Sequence, residues 1–423
     1  MQKRFTLTLL SSMAGAKDLN FPFPYGSRAP VPFQASVDPG FVNTTLLKVS
    51  LYRPSIDLLD EVAINSGWTE GPPEANMTAL AEYWSSHYNW YKVQDEINGN
   101  FSHFAITIPG AGNYNHPVRL HFLHERSDAS DAIPLLLIHG WPDSHLLWSQ
   151  VIEPLRSPSN SSTQSFHIVA LDMPGFGFSP AATYSGLNNP EMGSAFNQLM
   201  NTLGYDRYGI ICTDIGWGPG LYMVDRLTEN VIGVFSDNWP IAPNATDLER
   251  LSKNETTEEE THYIESYNNF VANHTSYADA HTQSPLSIAQ AMSDTPVGYA
   301  GWVWHLWHWV NDGYELGLEK IITTTMMIWI QGAYGNIRAY KTTEIYDPGE
   351  RPYCHAPAGV SVWGWFNSPL GPSVGYAGLT PSSWISRIAN LSFYSRHEQG
   401  GHLPAMTEPE LWVTDVRNFF GAL

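Results

Sequence analysis

The sequence predicts an α/β protein with a mostly parallel central sheet, a helical insertion and an N-terminal arm. Three observations carry that prediction. Short continuous apolar runs recur at 133–138, 166–171, 208–213 and 231–236, with helix-length segments between them. Buried parallel strands in βαβ units have this texture. Two more such runs follow late, near 359–366 and 387–395. Between roughly 241 and 345 the strand signals vanish, as an all-helical insertion would require.

Taken in order, residues 1–16 read as a candidate secretory signal. Lys3 and Arg4 precede a modestly apolar stretch, and Ala14-Gly15-Ala16 offers a small-residue cleavage site. Residues 17–115 form the arm, with Tyr83-Trp84 and Tyr88-Asn89-Trp90-Tyr91 at helical spacing. Strands are expected at 104–108 and 118–124. The second alternates Val118, Leu120 and Phe122 on one face. The first part of the core is 116–240, the helical cap is 241–345, and the second part of the core is 346–423. In the cap, the run from Trp302 to Trp309 either lines a cavity or packs cap against core.

Composition narrows the function. The chain has 423 residues, 43% apolar and 15% charged, enough for a large core. Its formal charge of −20 argues against nucleic acid and against anionic membrane surfaces. No apolar run reaches the length of a spanning helix. Two cysteines, Cys212 and Cys354, supply neither a disulfide framework nor a zinc motif. Sequons begin at Asn43, Asn76, Asn100, Asn160, Asn244, Asn254, Asn273 and Asn390. They matter only in a secretory compartment, so secretory routing is expected, with a cytoplasmic location as the alternative.

The chemistry centres on Cys212-Thr213-Asp214-Ile215-Gly216, between an expected buried strand and a helical segment. A sharp strand-to-helix turn needs small residues two positions either side of its apex, and Cys212 and Gly216 supply them. This is a nucleophile-elbow pattern, with Asp where a serine hydrolase has Ser. The alternative is an Asp that merely caps a helix. A carboxylate nucleophile attacks saturated carbon and leaves an ester, which water must then cleave with a base and an oxyanion hole. His139-Gly140-Trp141-Pro142 follows an earlier strand, so the N–H groups of Trp141 and Ile215 are the expected oxyanion donors. Gly400-Gly401-His402 follows the last strand and makes His402 the candidate base.

The chain resembles the microsomal-type epoxide hydrolases, including fungal members, over nearly all residues after about 30. The resemblance rests on Tyr52-Arg53-Pro54, Trp68 and Tyr83-Trp84 in the arm, and on 121–126 followed by 133–148. Asp172-Met173-Pro174-Gly175-Phe176-Gly177-Phe178-Ser179, Ser293-Asp294-Thr295-Pro296-Val297-Gly298 and Gly400-Gly401-His402 complete it. It implies an α/β-hydrolase core that opens a small apolar epoxide to a vicinal diol, without metal or organic cofactor. It also implies two cap tyrosines that protonate the epoxide oxygen, Tyr340 and Tyr277. A homodimer is compatible with the sequence, which does not decide the oligomeric state.

One departure stands out. The family's triad acid precedes the His by some two dozen residues, near Gly375-Tyr376-Ala377. No Asp or Glu occurs here between Glu350 and Glu398. Asp237, directly after the run at 231–236, is the replacement we expect, because some related haloalkane dehalogenases place their acid there. Without such an acid the ester would turn over slowly. The chain could then be an epoxide-opening cyclase, an impaired homologue, or a hydrolase of esters or haloalkanes.

Overall fold

The computed structural model describes residues 19–60, 67–160, 163–343 and 353–423. The candidate signal at 1–16 and the cap boundary at 345 lie outside these residues. A nine-stranded sheet runs through the molecule in the order β1-β2-β3-β5-β4-β6-β7-β8-β9. Its strands are β1 (Val31–Pro32), β2 (His103–Ile108), β3 (Val118–Glu125), β4 (Ile133–Ile138) and β5 (Phe166–Leu171). Then come β6 (Tyr208–Cys212), β7 (Val231–Ser236), β8 (Cys354–Trp363) and β9 (Ala389–His397). The pairs from β1 to β5 through β3 are antiparallel, and all others are parallel.

The expected strands are present with small shifts. The strand expected at 359–366 begins earlier, at Cys354, and ends at Trp363. Cys354-His355-Ala356-Pro357 has no apolar run to announce it, yet it pairs with β9 through an irregular register. β1 was not foreseen. It has two residues, one of them Pro, a residue tolerated at a sheet edge.

The parallel strands β4 to β8 are largely buried on both faces, because helices cover both, whereas β9 at the sheet edge is mostly half-buried. The helices Asn189–Thr202 and Trp217–Arg226 pack on each other and on the sheet. Pro409–Phe420 lies against β7, β8 and β9. From Ala245 to Thr343 every described element is a helix. The arm joins the same continuous core. Trp329 donates to the Thr45 hydroxyl across 3.2 Å, and Tyr88 meets Thr323 at 3.2 Å.

The chain reverses its direction of travel at β4, which has β5 on one side and β6 on the other. Ligand sites of open α/β sheets form at the carboxyl ends of strands at such a switch. Ile138 pairs with Cys212, so the segments starting at His139 and Thr213 leave the sheet side by side.

Candidate active site

Asp214 sits at the apex between β6 and the following helix with φ +47°, one of few non-glycine residues in the left-handed region. The turn is closed by two glycines. A Cβ on Gly216 would lie 2.4 Å from the His139 carbonyl oxygen, and one on Gly140 would lie 2.3 Å from Asp214 Cβ. Gly140 is thus as necessary to the turn as Gly216, which the elbow spacing alone did not reveal. Cys212 is small for a separate reason: the helix after the elbow packs Gly220 directly on its sulfur.

Both oxygens of Asp214 are engaged. The Trp141 N–H donates to Oδ1 across 2.9 Å, and His402 Nε2 lies 3.2 Å from Oδ2. Ile215 follows in the one-turn helix Asp214–Gly216 and is buried, but its N–H makes no hydrogen bond to this carboxylate. The Trp141–Pro142 peptide is cis.

His402 reaches Asp214 from a loop that only glycine can build. Gly400 and Gly401 have φ +128° and +71°. A Cβ on Gly401 would stand 2.6 Å from the Val310 carbonyl oxygen, and one on Gly400 would stand 2.4 Å from the Trp363 ring. The His402 N–H donates to that Val310 carbonyl at 2.8 Å, and the Gly400 N–H donates to Asp312 at 3.1 Å. Burial alone would favour a neutral imidazole. The hydrogen bond and charge of Asp214, with the charges of Asp237 and Asp143, outweigh it and raise the basicity of His402.

Asp237 follows β7 and is buried. Its Oδ2 accepts from Trp412 Nε1 at 2.7 Å. Burial pushes its pKa up to about 6, against the pull of Thr213, Trp412 and His402. It stands in the field of His402, but no hydrogen bond joins the two. Asp143 was missed in the sequence. It is buried, and burial raises its pKa to about 7, with Lys320 and His402 opposing and Asp214 reinforcing. Its signal was an acid directly after His139-Gly140-Trp141-Pro142, on the loop that carries the Trp141 N–H.

The cap brings both tyrosines over Trp141. Tyr277, on the helix Ser276–Gln283, stacks on the Trp141 indole at 6.1 Å. Tyr340, on the short helix Ala339–Thr343, stands edge-on to Trp141 at 6.1 Å and to Tyr277 at 5.8 Å. That short helix packs on the elbow turn itself. The Trp141 indole is held in turn by Asn336 at 3.3 Å, which also binds the Tyr299 hydroxyl.

A cavity of about 850 Å³, its open mouth included, has Asp214, His402 and Tyr277 in its wall. Trp217, Phe270, Leu306 and Trp365 make the rest largely apolar. The tryptophans of the run 302–309 do not line it. Trp304 packs on Trp68 at 5.0 Å, Trp309 on His305 at 3.9 Å, and Trp307 is fully buried. The tryptophans of the run are packing, while Leu306 between them faces the cavity.

Among the described residues, His121, His145 and Asp172 are the group whose atoms could converge on a metal ion. Their ligand atoms already satisfy one another. Asp172 accepts from the Nδ1 atoms of His121 and His145 at 2.7 and 2.9 Å, and from the N–H groups of His145 and Phe178 at 2.8 and 2.9 Å. Burial opposes its charge, but these partners prevail and hold the carboxyl well below its ordinary range. The cluster pins the loop 172–179 beneath the site.

The chain is similar to known proteins along most of its length. Residues 30–148 match the family model described as epoxide hydrolase N terminus, and residues 133–298 match that of the alpha/beta hydrolase fold. Epoxide hydrolase 1 of Sus scrofa is 25% identical over 81% of this chain and 79% of its own length. The solved epoxide hydrolase of Aspergillus niger superposes with a TM-score of 0.76 at 23% identity, covering 96% of this chain and 100% of that one. The juvenile hormone epoxide hydrolase of the silkworm Bombyx mori gives 0.80 at 22%, covering 94% and 95%. The two solved structures establish the fold.

Proposed function

The chain belongs to the epoxide hydrolase family of α/β-hydrolases, and from that premise we propose that it opens an apolar epoxide to a vicinal diol through an ester on Asp214. The observation that carries this reading is the posture of Asp214. It is strained at φ +47°, with one oxygen on the Trp141 N–H and the other facing His402 at the cavity wall. A capping carboxylate needs neither strain nor a cavity.

In this reading Oδ2 attacks a ring carbon and the C–O bond breaks. The ring oxygen takes a proton from Tyr340 or Tyr277. Oδ1 stays on the Trp141 N–H and becomes the oxyanion when hydroxide adds to the ester. Ile215 supplies the second N–H at that stage. His402 takes the proton from water. Its raised basicity depends chiefly on Asp214, whose charge disappears on esterification. The imidazole is therefore released to act as a neutral base when the second step needs one.

Single-turnover incubation of the chain with a panel of epoxides in heavy-oxygen water tests the proposal. An ester mass on the Asp214 peptide, followed by label in its carboxylate, is the expected result. Diol formation without either would rule out the covalent route. A second reading, efficient opening with slow cleavage of the ester, is favoured by one observation: among the described residues no carboxylate other than Asp214 itself is hydrogen-bonded to His402. A burst that consumes one equivalent of epoxide and leaves the ester on Asp214, with diol appearing only slowly, would select it.

We also propose secretory routing with N-linked glycans. The sequon asparagines Asn43, Asn100, Asn244, Asn254, Asn273 and Asn390 are exposed, and Asn76 is half-buried. The buried asparagines Asn189, Asn311 and Asn336 belong to no sequon. Among the described residues no helix is long and apolar enough to cross a membrane. Expression of residues 1–423 without an added leader in a eukaryotic host should deliver glycosylated protein to the medium. An unglycosylated intracellular chain would refute the routing.

A further inference from the structure

His281 lies on the helix Ser276–Gln283, one turn after Tyr277, and is fully buried. Its Nε2 lies 3.1 Å from Trp302 Nε1. An indole N–H can only donate, so Nε2 must be the bare nitrogen of the ring. Burial lowers the pKa to about 3, so the ring is neutral and its one proton sits on Nδ1. That Nδ1–H is buried with no acceptor among the described residues. An unused buried donor is costly, and a phenylalanine would fill the same space without that cost.

The surroundings suggest what the donor is for. The imidazole packs edge-on against Trp141 at 4.9 Å, Tyr340 at 5.1 Å and Tyr277 at 6.1 Å. These are the ring whose backbone N–H holds Asp214 and the two rings read above as proton donors. Tyr340 is the nearer of the two phenols.

We propose that His281 is a positioning residue for Tyr340, its Nδ1–H donating to the phenol oxygen as that phenol gives up its proton. The inference rests on the reading of Asp214 and the tyrosines given above. As Asp214 attacks carbon, the electron pair of the breaking C–O bond stays on the ring oxygen. That oxygen takes the Tyr340 proton, and a phenolate remains. The Nδ1–H stabilises this new charge without being transferred. When water cleaves the ester, the proton it loses to His402 returns to the phenolate. The sum is epoxide plus water giving diol.

The test separates the two half-reactions, with styrene oxide as the probe and tryptophan fluorescence as the signal. Three variants are compared with the parent: His281→Phe, His281→Asn and Tyr340→Phe. Asn places an N–H where Nδ1 stood, and Phe does not. His281→Phe should slow alkylation by about tenfold or more and leave ester hydrolysis unchanged. His281→Asn should regain most of the loss. A normal hydrolysis rate in the same variant shows that the site is intact. If the phenylalanine variant does not fold, His281→Met is read in the same way. Alkylation within twofold of the parent in His281→Phe, or an equal loss in the Asn and Phe variants, would overturn the proposal. Unchanged alkylation in Tyr340→Phe would instead overturn the tyrosine reading on which it stands.

Discussion

At the scale of the residue, the proposed mechanism makes His402 depend on a charge that comes and goes. Replacing it with Gln should leave alkylation of Asp214 nearly intact while ester hydrolysis falls by about 10³-fold or more. The measurement is the mass of the Asp214 peptide over time, which should show a stable ester. Asp237→Asn tests the substitute acid. If Asp237 supports the imidazolium, this variant slows hydrolysis alone, seen as a longer-lived ester at an unchanged alkylation rate. Normal hydrolysis in the variant would leave Asp143 as the remaining buried acid beside His402. Asp214, Trp141 and His402 were legible in the sequence because each belongs to a short local motif. Asp143, His281 and Asn336 were not, because their meaning lies in contacts between distant segments.

At the scale of the element, the site is held by loops with no room for a Cβ. Gly401→Ala would meet both a left-handed φ of +71° and the Val310 carbonyl at 2.6 Å. Relief requires the loop to move and His402 with it. We expect a loss of ester hydrolysis well beyond the loss of stability, which should be on the order of 1–3 kcal/mol for the forced conformation. Rapid-quench kinetics beside urea unfolding would compare the two. The strands were legible because buried parallel strands announce themselves as apolar runs. The start of β8 was hidden, since Cys354-His355-Ala356-Pro357 carries no period and is shaped by pairing with β9. The Trp-rich helix could be read two ways, because packing and cavity walls use the same side chains.

At the scale of the whole molecule, the buried ionisable groups set the response to acid. His103, His124, His139, His281 and His305 have pKa values lowered by burial to about 3 or 4. Each binds its proton more readily unfolded, so the stability it contributes is lost as pH falls below about 6.5. Asp172 and Glu260, held low by their partners, lose theirs as pH falls below about 4. Asp143 and Asp237, raised by burial, act in the opposite sense and stabilise toward acid. Between pH 7 and pH 4 the five histidines outnumber Asp143, Asp237 and His402, whose raised basicity also stabilises toward acid. The urea midpoint should therefore drop steadily from pH 7 to pH 4. Asp172→Asn, which leaves two buried histidines without their shared anion, should cost about 3–5 kcal/mol at neutral pH by the same measurement. The order of the sheet was not legible from the chain, because nothing local says that β6 lies beside β4 and not beside β5.

The Val310 carbonyl that holds the His402 N–H ends the helix Pro296–Val310, part of the roof over the cavity. Asp312, just beyond, binds both the Gly400 N–H and the Asn367 N–H. The roof is therefore latched to the loop that carries His402, the proposed base. It cannot swing clear as a hinged lid without withdrawing His402 from Asp214. With the roof in place, the cavity, whose wall includes the exposed Val271, bounds the size of what the buried chemistry meets.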